Sequence, residues 1–413
     1  AETFFARVRD HVLARQSGPD TGYSLEATVT EPADALRGAA MAFRAALDRL
    51  SAPLQSLALT LAARLDDDLA ELEPDSRRRI EAACRGLARR AAEVDVWGAM
   101  LAALDDGTPE AFVDWFSLHR AMGRETDAGL HRHHLDPTVP FSETVLSGAH
   151  GALITSASLR DHTAPEDGDD PAGESWLAAE VRTGAHHLAA PPRRVSVGSP
   201  FDYGRDTRIF IVNDLARDNA DAVAAAVREL FLAAGGGAIG LFTAISRLRA
   251  VHRRIAAPLA AAGLPLLAQH VDAMDTGTLV DIFRADIRAC LLGTDAVRDG
   301  VDVPGRSLRL IVFDRVPWPR PDILHQARKK AFGGAAFEDR IARLRLRQAF
   351  GRLLRRAGDH GVFVMLDSRT PSRLLSAFPP GTTPERLGVA ATIDAARTFL
   401  RDLESLAGTE SVP

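Results

Sequence analysis

Lysine is almost absent from this sequence of 413 residues, whose only lysines are Lys329 and Lys330. A phosphate-binding loop of the Gly-Lys-Ser/Thr type needs a lysine directly after a glycine. Both lysines follow another basic residue, so the chain contains no such loop. We also find no acidic pair at the end of an apolar strand that would hold magnesium. We therefore expect that this chain by itself does not hydrolyse ATP.

Cysteine is equally scarce, since Cys84 and Cys290 are the only two. Two thiols cannot form a disulfide framework or supply the four ligands of an iron-sulfur cluster. Long apolar runs and a signal-peptide pattern are missing too, so we expect a cytoplasmic protein with no membrane partner. The net charge of -5 argues against a globally basic nucleic-acid binder but leaves room for a local basic groove.

The first hundred residues have a helical texture. Between Pro32 and about Leu104, apolar residues recur at helical spacing, which predicts long antiparallel helices. A short helix over Thr3 to Arg15 is expected before them.

The texture changes to strand-like segments at Phe112. We predict strands over 113–119 and 129–135, and a buried strand over 152–157, together the closing edge of an α/β sheet. The acidic segment from 162 to 173 contains Pro and Gly and is expected to be an exposed loop.

Apolar strands alternate with amphipathic helices from about Thr207 onward. This alternation is typical of an α/β fold, a parallel sheet covered by helices on both faces. Helices are expected over 220–233 and 245–262. The strands are expected at 208–213, 237–244, 264–269, 289–293, 308–313 and 362–366.

The most informative motif runs from Gln348 to Arg355 within an arginine-rich helix predicted over 340–356. If this octet is helical, Arg352 and Arg355 lie one turn apart on one face, and two guanidinium groups can bind one polyphosphate. A charge run of this kind is also typical of a solvated helix face.

Other polar motifs allow both an ordinary and a functional interpretation. Thr155 ends an apolar strand, as small polar residues commonly do. Thr243 and Ser246 lie at a strand-to-helix junction, where hydroxyls either cap the helix or bind a backbone phosphate. Gly300 and Asp302 belong to Gly-Val-Asp-Val-Pro-Gly, which is either an ordinary turn or a tight loop built around one carboxylate.

Two further clusters are aromatic or imidazole-rich. Ser199 and Phe201, followed by Tyr203, form either a base-stacking loop or a loop with a buried Phe. His131 and His133 would share a strand face beside His134. No thiol or third ligand is near them in sequence, so we expect no metal there.

Taken in order, these motifs resemble the second half of a DinG-like helicase. The Pro-rich segment from Arg315 to Asp322 is similar to the one that follows the fifth motif of that family. The resemblance covers about 152–369, and the arginine motif is its most specific part. The motifs that carry it are 155–159, 199–201, 241–243, 300–305 and 348–355.

The resemblance implies an XPD-related, superfamily-two DNA helicase that unwinds duplexes in the 5′ to 3′ direction with ATP, and hence a role in DNA repair. The implied domains are a helical arch-like region (1–111), the end of a first RecA-like motor domain (112–190) and a second RecA-like motor domain (191–413). The phosphate loop, the Mg²⁺-binding acidic box and any iron-sulfur cluster are expected upstream of Ala1.

The resemblance also implies roles for individual residues. Arg352 and Arg355 would reach the nucleotide phosphates, and Gln348 would help to couple the site. Gly300 and Asp302 would link the nucleotide state to the grip on DNA. The expected contacts to single-stranded DNA and duplex junctions are Thr155, Ser199, Phe201, Tyr203, Thr243 and Ser246.

Two hypotheses follow. The first is the C-terminal portion of an ATP-dependent DNA helicase, inactive when this chain stands alone. The alternative is a catalytically inactive, truncated nucleic-acid-binding or regulatory module. The sequence leaves the oligomeric state open.

Overall fold

The computed structural model describes residues 1–17, 22–67, 72–121, 123–160, 176–300, 302–356 and 358–409. The chain divides into two compact units. The first comprises Ala1–Phe141 and Arg320–Phe332, and the second comprises Ser142–Pro319 and Gly333–Pro413. None of the described helices combines the length and apolar character that crossing a membrane requires. The expected acidic loop, 162–173, lies outside the described residues.

The first part of the chain contains a pair of long helices and three strands. Its elements are α1 (Glu2–Ala14), β1 (Leu25–Thr28), α2 (Asp34–Asp66), α3 (Pro74–Asp106), β2 (Phe112–Ala121), β3 (Arg124–His134) and α4 (Thr138–Phe141), which a π-helical turn (Ser142–Leu146) follows.

The predicted long antiparallel helices are confirmed as α2 and α3. The Ser51 hydroxyl donates to Asp95 at 2.8 Å, and Arg77 donates to the carbonyl of Leu65 at 2.7 Å, so the end of one helix lies against the start of the other. Pro74 opens α3, where its missing N–H costs no hydrogen bond.

The strands β1, β2 and β3 form a separate antiparallel sheet. The prediction of strands near 113–119 and 129–135 is confirmed, but their assignment to the edge of an α/β sheet is wrong. A connection as short as the one between Ala121 and Arg124 permits only antiparallel pairing. Phe116 and Leu118 lie on one face of this sheet and pack into a core with α1, α2 and α3.

The rest of the described chain contains the seven strands of a parallel sheet and nine helices, several of them short. These elements are α5 (Leu177–Thr183), α6 (Tyr203–Asp206), β4 (Thr207–Val212), α7 (Ala220–Ala234), β5 (Ala238–Leu241), α8 (Ile245–Ala261), β6 (Leu266–Ala268), α9 (Thr276–Ala285), β7 (Cys290–Gly293), α10 (Asp295–Gly300), β8 (Leu310–Phe313), α11 (Ile323–Ala331), α12 (Ala335–Phe350), β9 (Gly361–Met365), β10 (Pro384–Leu387) and α13 (Val389–Thr409). Short 3₁₀ turns lie at Ala185–His187, Gly305–Ser307 and Ser372–Ala377. Helix α11 belongs to the first unit.

The second unit confirms the predicted α/β fold. Its seven strands run in the order β10-β4-β9-β8-β5-β7-β6, and every neighbouring pair is parallel. Along β4, Phe210 and Val212 pack under α7, α8 and α13, whereas Ile209 and Ile211 pack under α9 and α12. A strand buried on both faces needs apolar residues at every buried position, which is why residues 209–212 form a continuous apolar run.

Two strand predictions fail in this unit. Residues 152–157 form no strand and are exposed, with Leu153 at 89%. An apolar run becomes a strand only when a neighbouring strand bonds to it, and no described residue does so here. Conversely, β10 has the sequence Pro-Glu-Arg-Leu, which lacks any strand signal, and it exists because β4 offers it an open edge.

Gly236, in the tight connection between α7 and β5, has φ +100°, and an added Cβ would lie 2.4 Å from the carbonyl oxygen of Arg288. Gly236→Ala should lower the free energy of unfolding by about 3 kcal/mol, from backbone strain and overpacking together. Gly305, with φ +76° and no atom near an added Cβ, is the matched control. Gly305→Ala should cost about 1 kcal/mol from strain alone. Equal losses in urea unfolding would contradict this explanation.

Candidate functional site

The predicted site residues divide between the two edges of the parallel sheet. Thr243 follows β5, so it lies at the carboxyl edge, where all strands of the sheet end. Tyr203 precedes β4, Asp302 precedes β8, and Arg355 precedes β9, so these three lie toward the amino edge. Because strands of four to six residues rise by about 3.3 Å per residue, the two edges are roughly 13–20 Å apart.

The arginine motif does not form the continuous helix that the sequence predicted. Helix α12 ends at Phe350, and the chain turns after Gly351. The Asp359 carboxylate accepts hydrogen bonds from the backbone N–H groups of Arg355 and Arg356, both at 2.8 Å. Leu353 and Leu354 are buried. The expectation that Arg352 and Arg355 lie one helical turn apart is therefore wrong, because the helix ends before Arg352 and the Asp359 carboxylate holds the following residues in a turn.

The loop nevertheless joins two motifs that are about fifty residues apart in sequence. The Arg355 Nε lies 3.2 Å from a carboxylate oxygen of Asp302, and the two side chains are 35% and 72% exposed. The carbonyl of Asp302 accepts a hydrogen bond from Arg284 on α9 at 3.0 Å. Gly300 ends α10 just before this segment. The ion pair is open to solvent, so another charged group can replace either partner at little cost.

The other two residues of the arginine motif flank the end of α12. Gln348 is exposed in its last turn, and Arg352 is half-buried just after it. The backbone N–H of Arg352 donates to the carbonyl of Ala349 at 3.1 Å.

The aromatic residues predicted to bind nucleic acid lie against the same helix end. The Ser199 hydroxyl donates to the Tyr203 hydroxyl at 2.9 Å, and the Phe201 and Tyr203 rings are 6.0 Å apart. Tyr203 also contacts the ring of Phe350 at 6.0 Å. Phe201 is half-buried, so the cluster contains neither a fully buried Phe nor a fully open stacking platform.

Thr243 and Ser246 are both exposed around the first turn of α8. The helix has no side-chain cap, because its N-cap residue is Ala244. Plain capping, the ordinary explanation for these hydroxyls, is therefore not what they do. Unbonded N–H groups at such a helix start attract anions.

A buried ionic network that the sequence motifs did not predict lies at the carboxyl edge. Arg247 holds Asp314 through two hydrogen bonds of 2.6 Å, and Arg217 lies 3.2 Å from Asp367. Asp314 and Asp367 are almost fully buried. The hydrogen bonds to Asp314 raise the pKa of Arg247, while burial opposes part of that rise. The sequence did contain a signal for this network, because each aspartate directly follows a buried apolar run. Asp314 follows the run of β8, and Asp367 follows the run of β9.

The remaining predicted residues join none of these groups. Thr155 is exposed in the irregular segment 151–156. His131 and His133 do share a face of β3, where both rings lie about 5 Å from that of Trp115. His131 is also 2.7 Å from the Ser117 hydroxyl. Burial, followed by its charged neighbours His119 and His133, lowers the pKa of His131.

Much of the parallel sheet lies in a region that is similar to a known protein family. Residues 227–383 match the family described as the helicase C-terminal domain. This part of the chain is similar to a helicase C-terminal domain. The matched range contains Thr243, the Asp302 loop, Arg352 and Arg355, so the resemblance expected from the motifs is confirmed.

Curated relatives of this helicase domain share about a third of its residues. The ATP-dependent helicase DinG of Mycobacterium tuberculosis is 38% identical over 206 residues, which cover 47% of this chain and 30% of that protein. The 3'-5' exonuclease DinG of Bacillus subtilis is 31% identical over 265 residues, 60% of this chain and 27% of that protein. The ATP-dependent DNA helicase YoaA of Escherichia coli is 32% identical over 231 residues, 50% and 36% respectively. The chain thus spans about a third of these relatives.

The two ion pairs should differ sharply in their contribution to stability. Asp302→Asn breaks an exposed pair and should change the free energy of unfolding by less than about 1 kcal/mol. Asp314→Asn leaves Arg247 half-buried beside a neutral partner and should cost about 3 kcal/mol. Urea unfolding followed by tryptophan fluorescence measures both. Comparable losses would mean that the Asp302 pair is structural rather than exchangeable.

Proposed function

We propose that this chain is the C-terminal part of an ATP-dependent helicase that moves along DNA in the 5′ to 3′ direction. The observation that carries the proposal is the contact between Arg355 and Asp302. Two motifs that the resemblance assigns to the nucleotide meet at one point, within a region that matches a helicase C-terminal domain. In this proposal, Arg352 and Arg355 act as arginine fingers, and Gln348, Gly300 and Asp302 link the nucleotide to the rest of the domain.

The charges at the arginine loop fit a polyphosphate. Among the described residues, the Arg355 guanidinium pairs with one exposed carboxylate, that of Asp302, which a phosphate oxygen can replace at little cost. Arg352 lies three residues earlier in the same loop. ATP bound with Mg²⁺ supplies the phosphoryl group that is transferred to water. The arginines of this chain stabilise charge on that group, and the residues that hold most of the nucleotide are proposed to lie outside this sequence.

An iron-sulfur cluster does not fit the two cysteines of this chain. Cys290 is buried in β7, and burial raises the pKa of its thiol to about 12, whereas a cluster ligand must be a thiolate. Cys84 lies in the helical first unit. Any cluster is therefore proposed to lie outside this sequence.

Single-stranded DNA is the proposed partner of the exposed hydroxyls and aromatic rings. Thr243 and Ser246 contact backbone phosphates at the start of α8, while Ser199, Phe201 and Tyr203 offer a polar edge and rings for stacking. A contact of Thr155 with DNA and binding to duplex junctions are part of the same proposal. Only the family resemblance supports these two points.

A second candidate function is a nucleic-acid-binding or regulatory module without catalysis. The missing phosphate loop favours it, because the chain contains no lysine after a glycine. The B. subtilis relative is named an exonuclease rather than a helicase, so sharing this region does not fix the activity of a whole protein.

Arg352→Ala in the intact protein should lower DNA-stimulated ATP turnover by about 10³-fold, the usual contribution of an arginine finger. Arg356→Ala is the matched control, since Arg356 is exposed in the same loop and has no proposed role. Phosphate release measures both. The isolated chain should show no turnover. If it hydrolysed ATP, and Arg352→Ala abolished that activity, a complete nucleotide site within this chain would replace our proposal.

Binding of the isolated chain to a labelled 20-nucleotide oligo-dT strand tests whether the Thr243 hydroxyl contacts DNA. Fluorescence anisotropy should show binding that weakens with salt. Thr243→Val should weaken it about fivefold through the loss of one hydrogen bond, whereas Thr243→Ser keeps the hydroxyl and should bind normally. Salt-independent binding, or equal effects of the two variants, would argue against the proposed contact.

A further inference from the structure

Arg247 occupies an electrostatically unfavourable position. It is the third residue of α8, one residue after Ser246 and four after Thr243. The first turn of a helix carries a positive partial charge, so a cation is disfavoured there. The helix has no acidic residue in its first turn to compensate. An interaction specific to Arg247 must therefore offset the cost.

That interaction ties the start of α8 to the centre of the sheet. The Arg247 Nε and Nη2 atoms each donate to Asp314 at 2.6 Å, and Nη2 also donates to the carbonyl of Arg217 at 2.9 Å. Asp314 is itself fixed, because it is 1% exposed and its backbone N–H donates to the carbonyl of Leu241 at 3.0 Å. A planar guanidinium held by two parallel bonds permits little rotation.

A second ion pair, between Arg217 and Asp367, lies at the same edge of the sheet. Its two side chains bond to each other and not to α8. Arg217 bonds to both carboxylate oxygens of Asp367, at 3.2 and 3.3 Å, and Asp367 also accepts from the N–H of Val316 at 3.3 Å. This pair joins the connection after β4 to the ends of β8 and β9. Arg217 contacts Arg247 only through its backbone carbonyl, so its side chain offers an internal control.

The segment between β5 and α8 is short. Only Phe242, Thr243 and Ala244 separate the strand from the helix, and Phe242 is buried. The direction of the Thr243 and Ser246 hydroxyls therefore depends on where the first turn of α8 is held. A shift of about 1 Å at such a position is enough to lose a geometry-dependent contact.

We propose that Arg247 and Asp314 are positioning residues, which hold the first turn of α8 so that Thr243 and Ser246 meet the phosphates of a nucleic-acid strand. This inference rests on the proposed function, because it assumes that these hydroxyls contact the strand. The proposal assigns Arg247 no contact with the phosphates, because its Nε and Nη2 atoms are directed to Asp314 and the Arg217 carbonyl.

A double-mutant cycle on the isolated chain tests the proposal, with the labelled oligo-dT strand as the probe. Arg247→Lys keeps the charge but removes the two-pronged grip, and should weaken binding about fivefold. Thr243→Val should weaken it by a similar factor. The double variant should bind no more than about fivefold to tenfold more weakly than the wild type. Removing a hydroxyl that is already out of position should cost little further binding. Arg217→Lys should bind like the wild type.

Each alternative result is decisive. Multiplicative losses, about 25-fold in the double variant, would show that Arg247 acts independently and overturn the positioning role. Normal binding by Arg247→Lys with weakened binding by Thr243→Val would overturn it as well. Normal binding by Thr243→Val would instead overturn the proposed strand contact.

Circular dichroism and thermal melting establish that each variant is folded at the assay temperature. If Arg247→Lys is not folded, Asp314→Asn at 10 °C takes its place in the cycle, and the same non-multiplicative outcome is required. Equal loss of binding by Arg217→Lys would reduce the role of Arg247 to general stability and contradict the proposal.

Discussion

Burial of the parallel sheet on both faces is the constraint on which the second unit depends. Residues 209–212 of β4 contribute to two hydrophobic clusters at once, so polar side chains have no place in that part of the strand. Polar groups must then gather where strands begin and end. Asp314 and Asp367 mark one edge of the sheet, and the loops that carry Asp302 and Arg355 mark the other. The candidate functional residues therefore occupy the only positions that the core leaves to them.

The two edges differ in how firmly their charges are held. At the carboxyl edge, buried carboxylates hold arginines through short, paired hydrogen bonds, and separating such groups is costly. At the amino edge, the pair between Arg355 and Asp302 lies in water, where it contributes little to stability. A fixed edge suits the orientation of a contact surface, and an exchangeable pair suits a charged ligand that comes and goes. This difference underlies both the proposed nucleotide role and the proposed positioning role.

The first unit depends on a different arrangement. Two helices of 33 residues each pack along one another, and one face of a small antiparallel sheet completes their core through Phe116 and Leu118. The segment Arg320–Phe332, which follows β8 in the chain, belongs to this unit. Within it, Arg328 of α11 donates to the carbonyls of His134 and Leu135 at 3.0 Å. Burial lowers the pKa of Arg328, and the carboxylates of Asp136 and Asp322 oppose part of that fall.

The α/β class, the long helix pair, most strands of the parallel sheet and the helicase-like order of motifs can all be predicted from the amino-acid sequence. Continuous apolar runs and helical spacing are local properties, and they record burial directly. The tertiary structure alone decided the rest. Strand β10 forms because β4 has an open edge, and residues 152–157 remain irregular because no described residue pairs with them. Helix α12 stops at Phe350, where two leucines turn into the core. The contacts of Arg355 with Asp302 and of Arg247 with Asp314 join residues about 50 to 70 positions apart, and only the folded chain brings such distant residues together.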